Sequence, residues 1–301
     1  MPRTASPVDA VRRRGRPRRL AALVAVVVGT VLLTGCERTS LADGLLIRGV
    51  TEGSDRVTRL WIGTWIAAIA VGVLVLALLF WCLIVYRRKD GDDELPEQLR
   101  YNVPIEVLYT VVPIFIVAVL FYYTARDEEI LLDTTERPID NVVNVVGKRW
   151  SWDFNYVNEN VHLAGTQAEL TGEDGVEETL PTLYLPVNER TQFVLTSRDV
   201  IHSFWVPVFH QKLDMIPGRV NTFAVTPTQT GVFQGKCAEL CGDYHAYMLF
   251  NVAIVERDEY EAHMQELADS GQSGLLPNDV NMEPIMERDL DLLPAEDAGG
   301  N

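Results

Sequence analysis

The chain has 301 residues, 48% hydrophobic and 23% charged, with a formal net charge of −16. That length admits one or two domains, and so acidic a surface excludes electrostatic binding of nucleic acid while favouring a basic partner. Of the four cysteines, Cys36 ends an apolar leader, Cys82 lies in an apolar run, and Cys237 and Cys241 sit together, so none is left to build a disulfide framework.

Residues 1–19 carry seven Arg and one Asp and precede the uncharged run Leu20–Leu33. A basic stretch followed by an apolar one too short to span a bilayer comfortably reads as a signal peptide, residues 1–35. It ends in Leu33-Thr-Gly-Cys36, which resembles a bacterial lipobox and implies cleavage before Cys36 and lipidation of its thiol. The alternative is an ordinary signal peptide with a coincidental Cys. Removing those 35 residues takes away seven positive charges and one negative, leaving about −22. Residues 36–59 then form an extracytoplasmic N-terminal segment.

Leu60–Tyr86 is an uncharged run of 27 residues. At about 1.5 Å per residue it covers a hydrocarbon core of roughly 30 Å with room for tilt. Trp61, Trp65 and Trp81 lie near its ends, where aromatic belts sit, and Arg87-Arg88-Lys89 places its far end in the cytoplasm. The polar stretch Asp90–Arg100 suits a hairpin connection. A second apolar run, Val107–Ala125, returns outward; Pro113 inside it could kink it, which membrane helices tolerate. The expectation is a two-span transmembrane hairpin over 60–125 with both termini outside. Glu106, just after Pro104, is a first-turn carboxylate favoured by the helix dipole.

From Asn141 the pattern changes to short runs rich in Val, Phe, Thr and Tyr. Val142–Val146, Trp150–Tyr156, Thr182–Leu185, Thr191–Thr196, Val220–Thr226, Val232–Lys236 and Leu249–Val255 read as strands, punctuated by Gly, Pro, Asp and Asn. They predict an all-β sandwich or barrel within residues 126–256. The acidic, poorly periodic segment 158–178 reads as a loop insertion, and 257–301 as an acidic helix, with Asp258 as its N-cap, followed by a polar tail.

Between the last two strands lies Cys237-Ala-Glu-Leu-Cys-Gly-Asp-Tyr-His-Ala-Tyr-Met248, which offers two thiols, an imidazole, a thioether and a carboxylate within twelve residues. Soft sulfur ligands with imidazole favour copper or zinc, and a Met ligand favours copper. A single blue-copper centre needs two His, one Cys and a weak axial group; this loop has one Cys too many. Two thiolates four residues apart can bridge two metal ions, each with its own terminal His. His245 is in the loop, and His202 in Asp199-Val-Ile-His-Ser-Phe-Trp205 is the obvious second donor. A Cys237–Cys241 disulfide and a zinc site are the competing readings; zinc leaves Met248 and the upstream His202 motif unexplained.

The pattern Cys-x-Glu-x-Cys-x-x-x-His-x-x-Met, preceded by Asp-Val-x-His-Ser-Phe, resembles the dinuclear copper A site of cytochrome c oxidase subunit 2, and the likeness runs from about Leu60 to about Glu256. The resemblance implies a cupredoxin-like sandwich in which Cys237 and Cys241 bridge two coppers. His202 and His245 would be terminal ligands, with Met248 and the Glu239 carbonyl as weak ones. The Glu239 carboxylate, a hard oxygen donor, would hold magnesium shared with the catalytic subunit. The stretch Asn102–Pro113 resembles the one whose Glu, here Glu106, lies at the mouth of the K proton pathway; Tyr109 stands where the family usually has Trp. Trp150, in Lys148-Arg-Trp-Ser-Trp152, resembles the Trp that receives electrons from cytochrome c, although Lys148 and Arg149 replace the usual neutral residues.

By that resemblance the chain is the electron-input subunit of a bacterial aa3-type oxidase in the plasma membrane. It would take electrons from cytochrome c, soluble or held in a supercomplex, and pass them to haem a of subunit 1, for oxygen reduction coupled to proton pumping. Subunits 1 and 3 would be its partners, with haems only on the partner chains. The alternatives are a stand-alone membrane-anchored cupredoxin, which needs no two-span hairpin, and a quinol oxidase subunit 2, which lacks the copper ligands kept here. The absence of Cys-x-x-Cys-His excludes a fused haem c domain.

Overall fold

The computed structural model describes residues 42–87, 91, 98–135, 137–169, 171 and 179–277. The signal peptide, Cys36 and the tail beyond 277 lie outside the described residues. The chain divides into two units, Met1–Ile47 and Arg48–Asn301. Of the first, the described part is a turn in which the Leu46 N–H donates to the Asp43 carbonyl at 3.2 Å.

The second unit begins with two long helices, α1 (Ser54–Val85) and α2 (Val103–Leu132), whose most apolar windows have mean hydropathies of 3.0 and 2.3. Their apolar side chains face outward along most of the length, the distribution for helices that meet lipid or other membrane helices. Both outrun the apolar stretches of the sequence, α1 starting six residues before Leu60 and α2 running seven past Ala125. Asn102 caps α2 by accepting from the Ile105 N–H at 3.4 Å, and α2 continues through Pro113.

Among the described residues ten strands follow: β1 (Asn141–Lys148), β2 (Ser151–Tyr156), β3 (Val161–Ala164), β4 (Thr182–Pro186), β5 (Thr191–Ser197), β6 (His202–Val206), β7 (Gln211–Met215), β8 (Asn221–Val225), β9 (Gly231–Cys237) and β10 (Leu249–Val255). They form two five-stranded sheets, ordered β3-β2-β1-β5-β8 and β4-β10-β9-β6-β7. The pairs β1–β5 and β4–β10 are parallel and the rest antiparallel. This is the cupredoxin-like sandwich expected, with the Cys237–Met248 loop joining β9 to β10. Alternate residues of β2, namely Trp152, Phe154 and Tyr156, point into the core and are fully buried. Rings from both sheets meet there: Trp152 lies 5.0 Å from Phe250, Phe250 5.1 Å from Phe204, and Phe204 5.3 Å from Phe193.

Three strands escape the sequence reading. β3 contradicts the loop assigned to 158–178: Val161 and Leu163 alternate with His162 and Ala164 and pair with β2. β6 and β7 were not expected as strands; β7 is half-exposed, so its alternation is faint. The C-terminal helix α3 spans Arg257–Asp269 and takes Glu256 as N-cap, with no side-chain capping bond. Asp258 therefore sits inside the first turn, where with Glu259 it complements the helix dipole. Nor is the segment after α3 a free tail from its start. Gln272 and Gly274 exchange backbone hydrogen bonds with His162 and Asn160, the Leu276 N–H donates to Asn155 at 2.8 Å, and Arg198 donates to the Pro277 carbonyl at 2.7 Å.

The chain entering and leaving the helical hairpin is stitched to one end of the sandwich. The Val50 N–H donates to Val208 at 3.0 Å, the Glu52 N–H to Thr226 at 3.1 Å, and the Arg190 guanidinium to the Asp133 and Arg137 carbonyls. β6 leads from this base towards His202, its five residues spanning about 16 Å at about 3.3 Å per residue.

Candidate metal centre

Three segments deliver the site. His202 opens β6, Cys237 closes β9, and Cys241, His245 and Met248 come from the loop to β10. The loop is closed by backbone bonds, Cys237 N–H to Met248 O and Ala238 N–H to Ser203 O, both 3.0 Å. A single 3-10 turn, His245–Tyr247, then aims His245 and Met248 back at the cysteines.

The two sulfurs are 3.8 Å apart, nearly twice the length of a disulfide bond, and both cysteines are free. Each faces one imidazole: Cys237 Sγ lies 3.8 Å from His202 Nδ1, and Cys241 Sγ 3.5 Å from His245 Nδ1. Met248 Sδ is 3.8 Å from Cys241 Sγ, and the Glu239 carbonyl is 3.2 Å from Cys237 Sγ. His202, Cys237 and Cys241 present ligand atoms all within 4.8 Å of one another. Cys237, Cys241, His202 and Met248 are buried, so water is kept from the sulfurs, while His245 is half-buried. The sequence-derived donors thus converge, and their soft, two-sulfur, two-imidazole chemistry fits copper.

The electrostatics favour a cation. Burial, then the neighbouring Cys237, pushes the Cys241 thiol up to about 12, so a thiolate there needs positive charge beside it. Burial also lowers the pKa of His202, against the pull of Asp199, keeping the ring in its neutral, ligating form. Burial opposes ionisation of Asp199 too, but hydrogen bonds from His202, Arg149 N–H and Val200 N–H outweigh it and hold the carboxyl below its ordinary value.

Three neighbours carry roles that motif reading did not assign. Asp199 accepts from His202 Nε2 at 2.8 Å. Gly147 leaves room for that ring, since a Cβ there would lie 3.0 Å from it. Trp152, fully buried, donates to the Met248 carbonyl at 3.4 Å. Trp150 is half-buried rather than fully exposed; its Nε1–H donates to the Cys241 carbonyl at 3.2 Å, and its ring packs edge-on to Tyr244 at 4.9 Å. Gly242, at φ +122, passes so close that a Cβ would meet the indole at 3.2 Å. The cations beside Trp150 are partnered: Lys148 with buried Asp153 at 2.6 Å, Arg149 with Asp199 at 3.5 Å.

Glu239 has an exposed side chain. Glu106 stands apart, at the other end of α2, where its carboxylate accepts from the Asn102 N–H at 2.9 Å. The helix-start role read from the sequence is therefore present in the geometry.

Residues 141–255, which hold this site, match the family described as Cytochrome C oxidase subunit II, periplasmic domain. Over 90% of its length the chain is 44% identical to the probable cytochrome c oxidase subunit 2 of Streptomyces avermitilis, covering 94% of that protein. The chain belongs to the cytochrome c oxidase subunit 2 family. It is 32% identical to the cytochrome c oxidase subunit 2 of Mycobacterium bovis, over 88% of this chain and 86% of that one. The crystal structure of the periplasmic domain of subunit II of cytochrome oxidase from Bradyrhizobium japonicum is 30% identical and covers 44% of this chain and 97% of that domain, with a TM-score of 0.41. Membership makes the chain one subunit of an oxidoreductase complex and implies a copper centre; two apolar helices and an extracytoplasmic domain fit membrane anchoring.

Proposed function

We propose that this chain is the electron-input subunit of a cytochrome c oxidase in a bacterial plasma membrane. It accepts electrons from a cytochrome c and passes them to haem a of subunit 1, where oxygen is reduced with proton pumping. The observation that carries this reading is the near-symmetric pair of sulfurs 3.8 Å apart, each faced by one imidazole nitrogen. Cys237 and Cys241 would bridge two coppers, His202 and His245 would terminate them, and Met248 with the Glu239 carbonyl would be weak ligands. When bound, the metal pair supplies a one-electron redox couple spread over both ions.

The chain's own residues account for the rest. Buried sulfurs and Met248 in a closed loop keep the donor positions fixed and dry, so little must rearrange when charge changes. The Asp199 carboxylate accepts the hydrogen bond of His202 Nε2–H, which leaves the Nδ1 lone pair on the side of Cys237. Trp150 offers an aromatic contact for the donor while its N–H holds the Cys241 backbone. The exposed Glu239 carboxylate suits a magnesium ion at the boundary with subunit 1. Glu106, at the cytoplasmic edge, would collect protons for the catalytic subunit. Lys148 and Arg149 are paired with Asp153 and Asp199, and the net acidic surface steers a basic donor.

The test is the electron paramagnetic resonance spectrum of the copper-loaded full chain in detergent. One unpaired electron shared by two coppers is expected; a single-copper spectrum, or tight zinc with no copper uptake, overturns the reading.

A further inference from the structure

Away from the metal centre, a cleft of about 560 Å³ opens between α1 and α2 at the end nearest the sandwich, within the size range of small-molecule sites. Its walls are Leu60, Ala67, Ile116 and Leu120, and Gly63 lies among them. A Cβ on Gly63 would meet nothing within 4 Å, so the space beside it is open. From Leu60 to Ala67 the cleft follows α1 for about 10 Å, at about 1.5 Å per residue.

The rim is basic. Arg56, Arg59 and Arg126 line it together with one buried carboxylate, Asp127. Arg56 and Arg126 both pair with it, at 3.0 and 2.9 Å, and Arg126 also lies over the Tyr123 ring at 5.0 Å. The Arg59 side chain is exposed, and its guanidinium makes no ion pair with a described residue. Among the residues lining the cleft, three guanidiniums stand against one carboxylate, a net +2. The uncharged stretch starts at Leu60, so Arg59 stands where hydrocarbon gives way to headgroups.

We infer that this cleft is a binding site for an anionic phospholipid of the outer leaflet. One acyl chain lies along Gly63 between the helices, and the phosphate rests on Arg59, with Arg56 and Arg126 behind it. Basic pockets between transmembrane helices take anionic headgroups for this reason. A zwitterionic lipid would bring its own cation to a rim already positive, and an apolar helix of a neighbouring subunit would leave Arg59 without a counter-charge. The inference rests on the membrane reading of the two helices and is independent of the copper centre, so either can fail alone.

The experiment uses the assembled oxidase in phosphatidylcholine vesicles doped with spin-labelled phosphatidylglycerol or spin-labelled phosphatidylcholine. Its readout is the motionally restricted fraction of each label. The wild type restricts phosphatidylglycerol preferentially. Arg59→Gln lowers that preference roughly five-fold, the factor that about 1 kcal/mol per arginine near an anionic surface amounts to, while Arg59→Lys keeps it. Gly63→Phe fills the cleft and abolishes the restricted phosphatidylglycerol without changing copper content. Equal restriction of the two labels in the wild type overturns the inference, and so does a preference unchanged in Arg59→Gln. Failure of Gly63→Phe to assemble, with Arg59→Gln retaining the wild-type preference, shows instead that a neighbouring helix covers the cleft.

Discussion

Asp199 Oδ1 accepts a hydrogen bond from His202 Nε2 at 2.8 Å, while its other oxygen accepts from the Arg149 N–H at 2.7 Å. One carboxylate thereby joins a candidate metal ligand to the loop that carries Trp150. Asp199→Ala is expected to weaken copper binding about 10–100-fold, the usual cost of losing a partner that orients a ligating imidazole. Chelator competition measures it. Asp199→Asn retains an acceptor oxygen and should fall between alanine and wild type; equal affinity in all three proteins would show that His202 needs no such support.

The sulfur pair makes the sharpest demand. Cys237→Ser should abolish the two-copper spectrum, because the remaining sulfur cannot bridge with a partner 3.8 Å away removed. Met248 is fully buried, and Met248→Leu conserves volume at a cost of less than about 1.5 kcal/mol. It should keep both coppers and shift the reduction potential, as spectroelectrochemical titration would show.

Trp150 separates contact from encounter. Trp150→Gln should slow reduction of the copper centre by cytochrome c while barely changing donor affinity, since charge rather than the indole sets encounter. Stopped-flow mixing over a salt series resolves the two. The association rate should fall with added salt in both proteins, because screening acts over roughly 10 Å at about 0.1 M. A wild-type rate in the mutant would put the contact elsewhere.

Glu106 has a structural role that a single substitution confounds. Glu106→Ala removes the bond to the Asn102 N–H, and losing such a helix-start interaction costs about 1 kcal/mol. Glu106→Gln keeps an acceptor there but cannot carry a proton. Slower oxidase turnover in both variants, with copper reduction unaffected, is the outcome for proton uptake. Normal turnover in the glutamine variant would leave Glu106 as a helix cap alone.

The acidic surface, the two spans and the metal loop were legible in the sequence because each is a local property. A membrane span must be an unbroken apolar run as long as the bilayer is thick, so Leu60–Tyr86 declares itself. The donors Cys237, Cys241, His245 and Met248 lie within twelve residues, so one loop can turn them inward together, and only His202 had to be brought from outside. Strands β3 and β7 were not legible: short and half-exposed, they are held by their neighbours rather than by any alternation of their own.

What tertiary structure alone decided are relations between groups distant in sequence or set by direction rather than composition. The amino-acid order supplied two cysteines; the fold put their sulfurs 3.8 Å apart, each beside its own imidazole. It brought Trp150 to the Cys241 carbonyl across ninety-one residues and Arg198 to Pro277 across seventy-nine. It also gathered Arg56, Arg59, Arg126 and Asp127 along one cleft, though they belong to two helices with a connection between them. Sequence sets which side chains carry charge, sulfur or apolar area, and over what local period. Which of them meet depends on packing two sheets and two helices at once, a condition that no local stretch contains.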